Sequence, residues 1–132
     1  MAPATIDSSE PVATRLNGCW MVVSARLGGM HLPDTALEGI GLALENTVFE
    51  IGGERGRMTI DWDATPASID VVILEGPNRG RFLPGIVECR SHQLRICFDL
   101  SGTQRPLTFE AQPGSRQFVA LCERHAPDRV TP

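Results

Sequence analysis

Three acidic residues lie on or beside short apolar runs, where a carboxyl group could act in proton transfer: Asp61, Asp70 and Glu88. A carboxylate held in an apolar interior has a raised pKa, so it can accept or donate a proton near neutral pH. The same side chain on the outer face of a strand would be solvated and would have no chemical role. Both interpretations stay open for each acid, and Glu88 is the one to test first.

Arg105 is the basic residue that could complement such an acid, and it is followed by Pro106. Its planar guanidinium supplies paired donors that can hold a carboxylate, enolate or phenolate. It could instead tie a loop carbonyl or Asp70 at the rim of the fold. Glu88, Asp70 and Arg105 are therefore the candidate catalytic residues, and they would suit a cofactor-independent cyclase or isomerase.

Two histidines and one tryptophan are candidates for contact with a ligand. His31 and His92 occur in predicted turns, where an imidazole either shuttles protons at physiological pH or is merely solvated. Trp62 ends the run TIDW before a long turn, so it either stacks on a planar ligand at a cavity mouth or caps the core from outside. We count Asp61, Trp62 and His92 as candidate ligand-binding residues.

Residue types that are missing exclude several enzyme classes. All 12 basic residues are arginine. Without an ε-amine, the chain cannot use Schiff-base catalysis, a lysine-type phosphate loop or lysine-bound pyridoxal phosphate. No serine lies in a Gly-x-Ser-x-Gly elbow, and the segment GGERG lacks the strand-then-helix setting of a phosphate-binding loop. We expect no cofactor.

The four cysteines, Cys19, Cys89, Cys97 and Cys122, are spaced 70, 8 and 25 residues apart. This spacing matches no CxxC pair and no paired zinc-ligand pattern. Cys89 and His92 form the one local pair with metal-ligand spacing, and no two further ligands lie near them in the sequence. We therefore expect buried, reduced thiols and no metal site.

The charge and the terminal segment bear on partners and compartment. The formal net charge of −4 opposes binding to nucleic acid or to an anionic membrane. No window approaches the roughly 18 apolar residues that span a bilayer. Residues 1–14 have neither the basic region nor the apolar region of a signal peptide. The sequence predicts a cytoplasmic protein without nucleic-acid or membrane partners.

Short apolar runs recur along the chain with turn signals between them, at the spacing of an all-β protein. Nine runs are predicted strands: WMVVSARL, GLALE, TVFEI, RMTIDW, IDVVILEG, RFLPGIVEC, LRICFDL, LTFEA and QFVALCER. One short helix is predicted over residues 33–39. Because most connections are short, neighbouring strands should pair antiparallel and close into an up-and-down β-barrel of eight or nine strands.

Closure of such a barrel requires the first and last strands to pair, which places Trp20 beside Arg124. A guanidinium can lie flat on an indole, and this cation–π contact is worth about 0.5–2 kcal/mol. Trp20 and Arg124 are therefore expected to be structural residues that seal one end. Alternation from this pair turns Ser24 and Phe118 inward, toward an interior that can hold one small ligand.

The Gly18-x-Trp20 pattern on the first strand, with Arg124 on the last, resembles the lipocalin or calycin signature. More specifically, residues 16–125 resemble a lipocalin-like domain family of unknown function that is expanded in planctomycetes. The matching segments are LNGCWMVVSA, Asp61…Pro66-x-x-Ile69-Asp70, LEGPNRGRFLPGI, LRICF, Arg105-Pro106-x-x-Phe109 and LCERHAP. The resemblance implies a barrel sealed at one end by the Trp–Arg pair and a ligand cavity, but no particular reaction.

These observations predict one domain, an all-β, lipocalin-like barrel over residues 15–125, between a flexible leader at 1–14 and a flexible tail at 126–132. Its interior is expected to bind a small, largely apolar or aromatic molecule. Two alternatives stay open: catalysis in the same cavity, and a solidly packed structural or interaction module. An exposed rim patch could also join two copies in a homodimer.

Overall fold

The computed structural model describes residues 16–38, 40–90 and 92–124. Within them lie nine strands and one helix: β1 Gly18–Leu27, β2 Met30–His31, α1 Asp34–Leu37, β3 Gly41–Glu45, β4 Val48–Ile51, β5 Glu54–Asp61, β6 Ala67–Glu75, β7 Phe82–Arg90, β8 Gln93–Asp99 and β9 Gln117–Arg124. The predicted leader at 1–14 and tail at 126–132 fall outside the described residues.

Eight of these strands form a closed antiparallel barrel. Each strand from β4 to β9 pairs with the strand before it, and β1 pairs with both β3 and β9. The closing pair aligns Arg124 with Trp20 and Phe118 with Leu27. The short β2 adds a ninth strand beside the last residues of β1. The prediction of an up-and-down barrel of eight or nine strands is confirmed.

The barrel has two different ends, because successive antiparallel strands place their turns alternately on one end and the other. The end that we call the closed end holds the start of β1 and the turns β3–β4, β5–β6 and β7–β8. The opposite, open end holds the connections β4–β5, β6–β7 and β8–β9. Counting the turns along the chain therefore shows at which end of the barrel each turn lies.

Two of the tight turns depend on left-handed backbone. Asn46, between β3 and β4, has a φ of 57°, and Gly28 and Gly29, between β1 and β2, have φ values of 57° and 87°. Glycine and asparagine adopt such angles more easily than other residues do, which is why they favour hairpins at these positions. Hairpins form at Glu45-Asn46 and at Gly28-Gly29, where the chain turns between paired strands.

The hydrophobic core fills the inside of the barrel through period-two alternation along the strands. In β6, for example, Ile69, Val71 and Ile73 are buried, whereas Val72 and Leu74 are 40% and 48% exposed. The outward side of this strand is therefore apolar as well. Hydrophobicity alone does not distinguish its two faces.

Helix α1 has four residues and lies inside the predicted range of 33–39. Its last residue, Leu37, is buried and joins the core cluster. Over the described part of the chain, no helix has the length and apolar character needed to cross a membrane.

A β-bulge in β1 changes which of its residues face inward. The register with β9 moves by one residue between Leu121 and Cys122, because β1 contains Val23 as an extra residue there. After the bulge, Ala25 rather than Ser24 takes the buried position. Ser24 therefore faces away from the interior, contrary to the prediction.

The chain between β8 and β9 runs along the outer wall of the barrel, and the strand predicted at LTFEA is absent. Asp99 pairs directly with Gln117, so no place for another strand exists between β8 and β9. Phe109 instead lies against the guanidinium of Arg95, with 4.2 Å from Cζ to the ring centre. Pro106 is fully buried in this outer layer.

Candidate functional site

An apolar cavity of about 230 Å³ occupies the barrel interior toward the open end. Its lining consists of Val22, Leu42, Phe49, Ile51, Leu83, Ile96, Phe98, Leu100, Phe118, Ala120 and Cys122. Ile51, Leu83, Leu100 and Phe118 are only partly buried, and their places beside open-end turns make them the mouth. The cavity offers a ligand hydrocarbon surface and one thiol.

The opposite end is sealed by the predicted Trp–Arg contact. The Cζ atom of Arg124 lies 4.2 Å from the centre of the Trp20 ring, and Trp20 is fully buried. Trp20 Nε1 donates a hydrogen bond of 3.0 Å to the carbonyl oxygen of Leu16, and Arg124 Nη1 donates one of 3.1 Å to that of Asn17. These two hydrogen bonds hold the residues just before β1 across the closed end of the barrel.

Phe118 lines the cavity, as the alternation along β9 predicted. Ser24 does not, because the β1 bulge turns it outward, where it borders a depression on the outer wall. β9 therefore presents the predicted face, whereas β1 does so only up to Val22, before the bulge.

Glu88 lies on the outer face of β7 and not in the cavity. Its carboxylate forms ion pairs of 2.5 Å with Arg95 and 3.0 Å with Arg90. The hydrogen bond from Arg95 is the main reason that the pKa of Glu88 is lowered, and together with the charges of both arginines it outweighs the opposing effect of burial. A general acid needs a raised pKa, so this placement contradicts the proposed catalytic role of Glu88.

Asp70 and Arg105 also lie outside the cavity, where they fasten the β8–β9 loop to the barrel wall. Arg105 Nη1 is 2.8 Å from Asp70 Oδ1, and it donates hydrogen bonds to the carbonyl oxygens of Ile69 (3.4 Å) and Gly85 (2.9 Å). This is the structural alternative considered for Arg105. Asp70 is outside the cavity because it alternates with the buried Ile69 and Val71 on β6, and Arg105 is outside because the β8–β9 loop runs along the outer wall. The proposed catalytic placement of both residues in the cavity is therefore wrong.

Asp61, Trp62 and His92 lie at the closed end, away from the cavity mouth. Asp61 Oδ1 accepts a hydrogen bond of 3.0 Å from the backbone of Asp63 and so shapes the β5–β6 turn. Trp62 packs against the core from this turn, which agrees with the capping alternative. His92 is exposed in the β7–β8 turn, where its carbonyl oxygen accepts a hydrogen bond from Arg124. The prediction that these residues bind a ligand overlooked the alternation of turns between the two ends.

The other histidine that the sequence singled out, His31, is exposed on β2. Its Nδ1 lies 3.1 Å from the carbonyl oxygen of Leu32. It does not contribute to the cavity lining.

None of the four cysteines forms a disulfide bond within the described residues. Burial raises the pKa of Cys122, in the cavity lining, to about 12. Burial, with a contribution from the charge of Asp99, raises the pKa of Cys97 to about 11. Neither is a reactive thiolate at neutral pH. Among the described residues, no group of three or more histidine, cysteine or acidic side chains could hold a metal ion.

Sequence reasoning missed most of the cavity lining, although one signal was present. Alternation along TVFEI and LRICF places Phe49 and Phe98 on the inward faces of β4 and β8. The two rings meet edge to face, 5.9 Å apart, and form one wall of the cavity. Nothing comparable pointed to Leu100, which lies just beyond the end of β8.

A larger depression, of about 580 Å³, lies on the outer wall beneath residues 109–113. Its lining includes three charged residues, Arg26, Arg95 and Glu110, and the guanidinium of Arg95 is already held by Glu88 and by the ring of Phe109. The interior cavity, which has no charged group in its lining, fits a small apolar ligand better than this depression does.

Asp99 anchors the loop that leaves β8 at the open end. Burial alone would raise its pKa, but hydrogen bonds from the Ser101 hydroxyl and from the backbone of Gln104, Ser101 and Thr103 lower the pKa of Asp99 to about 2. Since the ordinary value is 3.8, the ionised form stabilises the fold by about 2 kcal/mol.

We expect this contribution to be complete above about pH 4 and to be lost as the pH falls toward about 2, because the pKa is lowered in the folded state. Asp99→Asn should lower the free energy of urea unfolding by about 2 kcal/mol at neutral pH. The difference from the original protein should shrink across the acid window. Asp63→Asn, a change in an exposed turn, is the control. A constant difference between pH 4 and 2 would contradict the role of Asp99.

Comparison of the chain with protein-family models, with curated proteins and with solved structures finds no match in any of the three. The closed barrel thus stands on the structure itself, and membership of the lipocalin-like family stays a prediction.

Proposed function

We propose that this protein is a lipocalin-like barrel that binds a small, largely apolar molecule in its interior. The observation that carries the proposal is the apolar cavity of about 230 Å³, open at one end and sealed at the other by Trp20 and Arg124. A solidly packed barrel would have no such space. Four cysteines without a disulfide bond in the described residues accord with a reducing compartment such as the cytoplasm.

The size of the cavity sets the size of the ligand. A group the size of a water molecule occupies about 30 Å³, so the cavity has room for roughly eight such groups. A cavity of about 150 Å³ with similar lining holds benzene. A bicyclic aromatic compound or a chain of about eight carbons is therefore the expected scale.

The structure does not favour the enzymatic alternative. The described lining contains no carboxylate, imidazole or guanidinium, and Glu88, Asp70 and Arg105 all lie on the outer wall. Acid–base catalysis of a cyclisation or isomerisation would need such a group within hydrogen-bond reach of the substrate.

A fluoronaphthalene titration followed by fluorine NMR tests the proposal, because this probe is neutral and its hydrocarbon surface matches the lining. We expect a dissociation constant on the order of 10 µM, or about 0.6 kcal/mol for each of its roughly eleven non-hydrogen atoms. Ala120→Leu places a larger side chain in the cavity and should weaken binding at least about tenfold, since it removes the space that the probe occupies.

Ala43→Leu is the matched control, because Ala43 follows the buried Leu42 on β3 and belongs to the outer wall. It should leave the affinity unchanged. Absence of binding to the original protein, or equal effects of the two alanine substitutions, would contradict binding in the interior.

A further inference from the structure

Two arginines lie at the open end, directly beside the cavity mouth. Arg81 comes two residues before Leu83, and Arg116 comes two residues before Phe118. Leu83 and Phe118 both line the cavity. Each arginine lies one residue before its strand begins, so both lie at the rim of the open end, and we call them the rim arginines.

Leu100 lies between these two arginines and fixes one of their side chains at the rim. Arg81 Nη2 donates a hydrogen bond of 2.6 Å to the carbonyl oxygen of Leu100. The backbone nitrogen of Leu100 donates one of 2.9 Å to the carbonyl oxygen of Arg116. Since the Leu100 side chain lines the cavity, both arginines flank the same part of its mouth.

The charges of these arginines are available to a ligand. In the described part of the chain, the ion pairs involve Arg90, Arg95 and Arg105, and neither rim arginine takes part in one. Arg81 uses one N–H for Leu100 and one for Asn78, at 3.5 Å. A guanidinium has five N–H donors, so three of them remain.

Acidic groups lie on the other side of the open end. Glu54 begins β5, and its carboxylate accepts hydrogen bonds of 3.0 and 2.6 Å from the backbone and side chain of Asn78. Glu75 ends β6 and is exposed. Glu54 and Glu75 form an acidic side over β5 and β6, where Arg55 lies opposite Glu75 in the strand register. Arg81 and Arg116 form an arginine side over β7 to β9, beside Leu100, and the carboxylate of Asp99 on this side is already held by hydrogen bonds from Ser101, Thr103 and Gln104.

We infer that the natural ligand is an amphiphile with one carboxylate, whose apolar part fills the cavity while the carboxylate lies between Arg81 and Arg116. This inference rests on the proposed function, because it assumes that the cavity holds the apolar part. A carboxylate inside the cavity would lose its hydration without gaining a hydrogen-bond donor, so the charge must stay at the mouth. The two guanidinium groups supply the paired donors that a carboxylate accepts.

Three probes of equal chain length test the inference by calorimetry on the full chain: octanoate, octanol and octylammonium. Octanol reports on the cavity alone, so its binding is the separate test of the proposed function. We expect octanoate to bind about tenfold more tightly than octanol at low salt, which corresponds to about 1.4 kcal/mol. Octylammonium should bind more weakly than octanol, and about 0.5 M salt should bring octanoate close to octanol.

Arg81→Gln and Arg116→Gln should each reduce the ratio of octanoate to octanol affinity about threefold, and the double variant should abolish it, since exposed charge pairs each contribute modestly. A merely structural effect would change both affinities together and leave their ratio unchanged. Arg79→Gln is the matched control, because Arg79 lies in the same β6–β7 turn as Arg81 and, among the described residues, is held by a backbone hydrogen bond to Gly76 and not by a side-chain contact at the mouth.

The possible failures are distinguishable. If octanol binds and octanoate binds no more tightly, the arginine inference is overturned while binding in the cavity stands. A preference for octylammonium overturns it as well, because the acidic side would then select the ligand. If none of the three probes binds, both the inference and the proposed function are overturned.

Discussion

Trp20→Ala is expected to lower the free energy of unfolding by about 3–5 kcal/mol, the usual range for truncating a buried tryptophan. Trp20 is fully buried, donates a hydrogen bond to Leu16 and supports the guanidinium of Arg124. Its loss would leave a space at the base of the barrel and leave the Leu16 carbonyl without this donor. Since small domains have a total stability of about 5–15 kcal/mol, this one change removes a large part of it.

Urea unfolding followed by circular dichroism measures this effect, and Trp62→Ala is the matched control. Trp62 is only partly buried, and its Nε1 makes no hydrogen bond within the described residues. We expect a loss of about 1–2 kcal/mol for Trp62→Ala, from packing alone. The chain has two tryptophans and no tyrosine, so fluorescence of the Trp62→Ala variant reports on Trp20 alone. A solvent-exposed emission maximum there, or equal losses in the two variants, would contradict a sealed end.

Gly85→Ala is expected to lower the free energy of unfolding by about 3 kcal/mol, at the upper end of the usual cost of overpacking. A Cβ atom at Gly85 would lie 2.5 Å from the carbonyl oxygen of Cys97 and 2.5 Å from Cδ1 of Phe98. The first contact is with backbone of the neighbouring strand, so β7 and β8 must separate. The second pushes the Phe98 ring, and because that ring lines the cavity, binding of fluoronaphthalene should weaken as well.

Gly41→Ala is the control for this variant. Its new Cβ would meet its nearest neighbour, the carbonyl oxygen of Trp20, at an ordinary 3.7 Å. The free energy of unfolding should change by no more than about 0.5 kcal/mol. If Gly85→Ala were as stable as Gly41→Ala, the close approach of β7 and β8 would be refuted.

The up-and-down order of the strands in the barrel was predictable, because it follows from the turn residues and the short links between the strands. Gly28-Gly29 and Glu45-Asn46 mark hairpins, and short links between apolar runs require antiparallel neighbours. The contact between Trp20 and Arg124 could be predicted from the need to join the first and last strands. These features depend on residue types and their order, which a sequence displays directly.

Which side chains face the barrel interior was less predictable, because this depends on the register of the strands. One extra residue, Val23, turns Ser24 outward, and no residue type at this point in the sequence indicates a bulge. In β6 the outward Val72 and Leu74 are as apolar as their buried neighbours, so the outward position of Asp70 could not be derived from hydrophobicity. Of the two interpretations that the sequence left open for the candidate carboxylates, the structure agrees with the outward one.

The end at which a turn lies could have been derived, since it follows from counting strands. The β5–β6 and β7–β8 turns share an end with the start of β1, which places Trp62 and His92 near Trp20 and away from the mouth. In contrast, Leu100 and the two rim arginines lie outside or at the ends of strands. Only the folded loop between β8 and β9 brings Leu100 to the cavity.

The closing pair of strands, β1 and β9, determines when the barrel can complete its folding during synthesis. A hydrogen bond across the base joins Arg124 to Asn17, 107 residues apart. Until residues 117–124 leave the ribosome, the nascent sheet keeps two open edges on β1 and β8, each with unpaired backbone groups that another chain could bind. The barrel consequently closes only after its last strand is available, and the incomplete sheet is the state that molecular chaperones would need to shield.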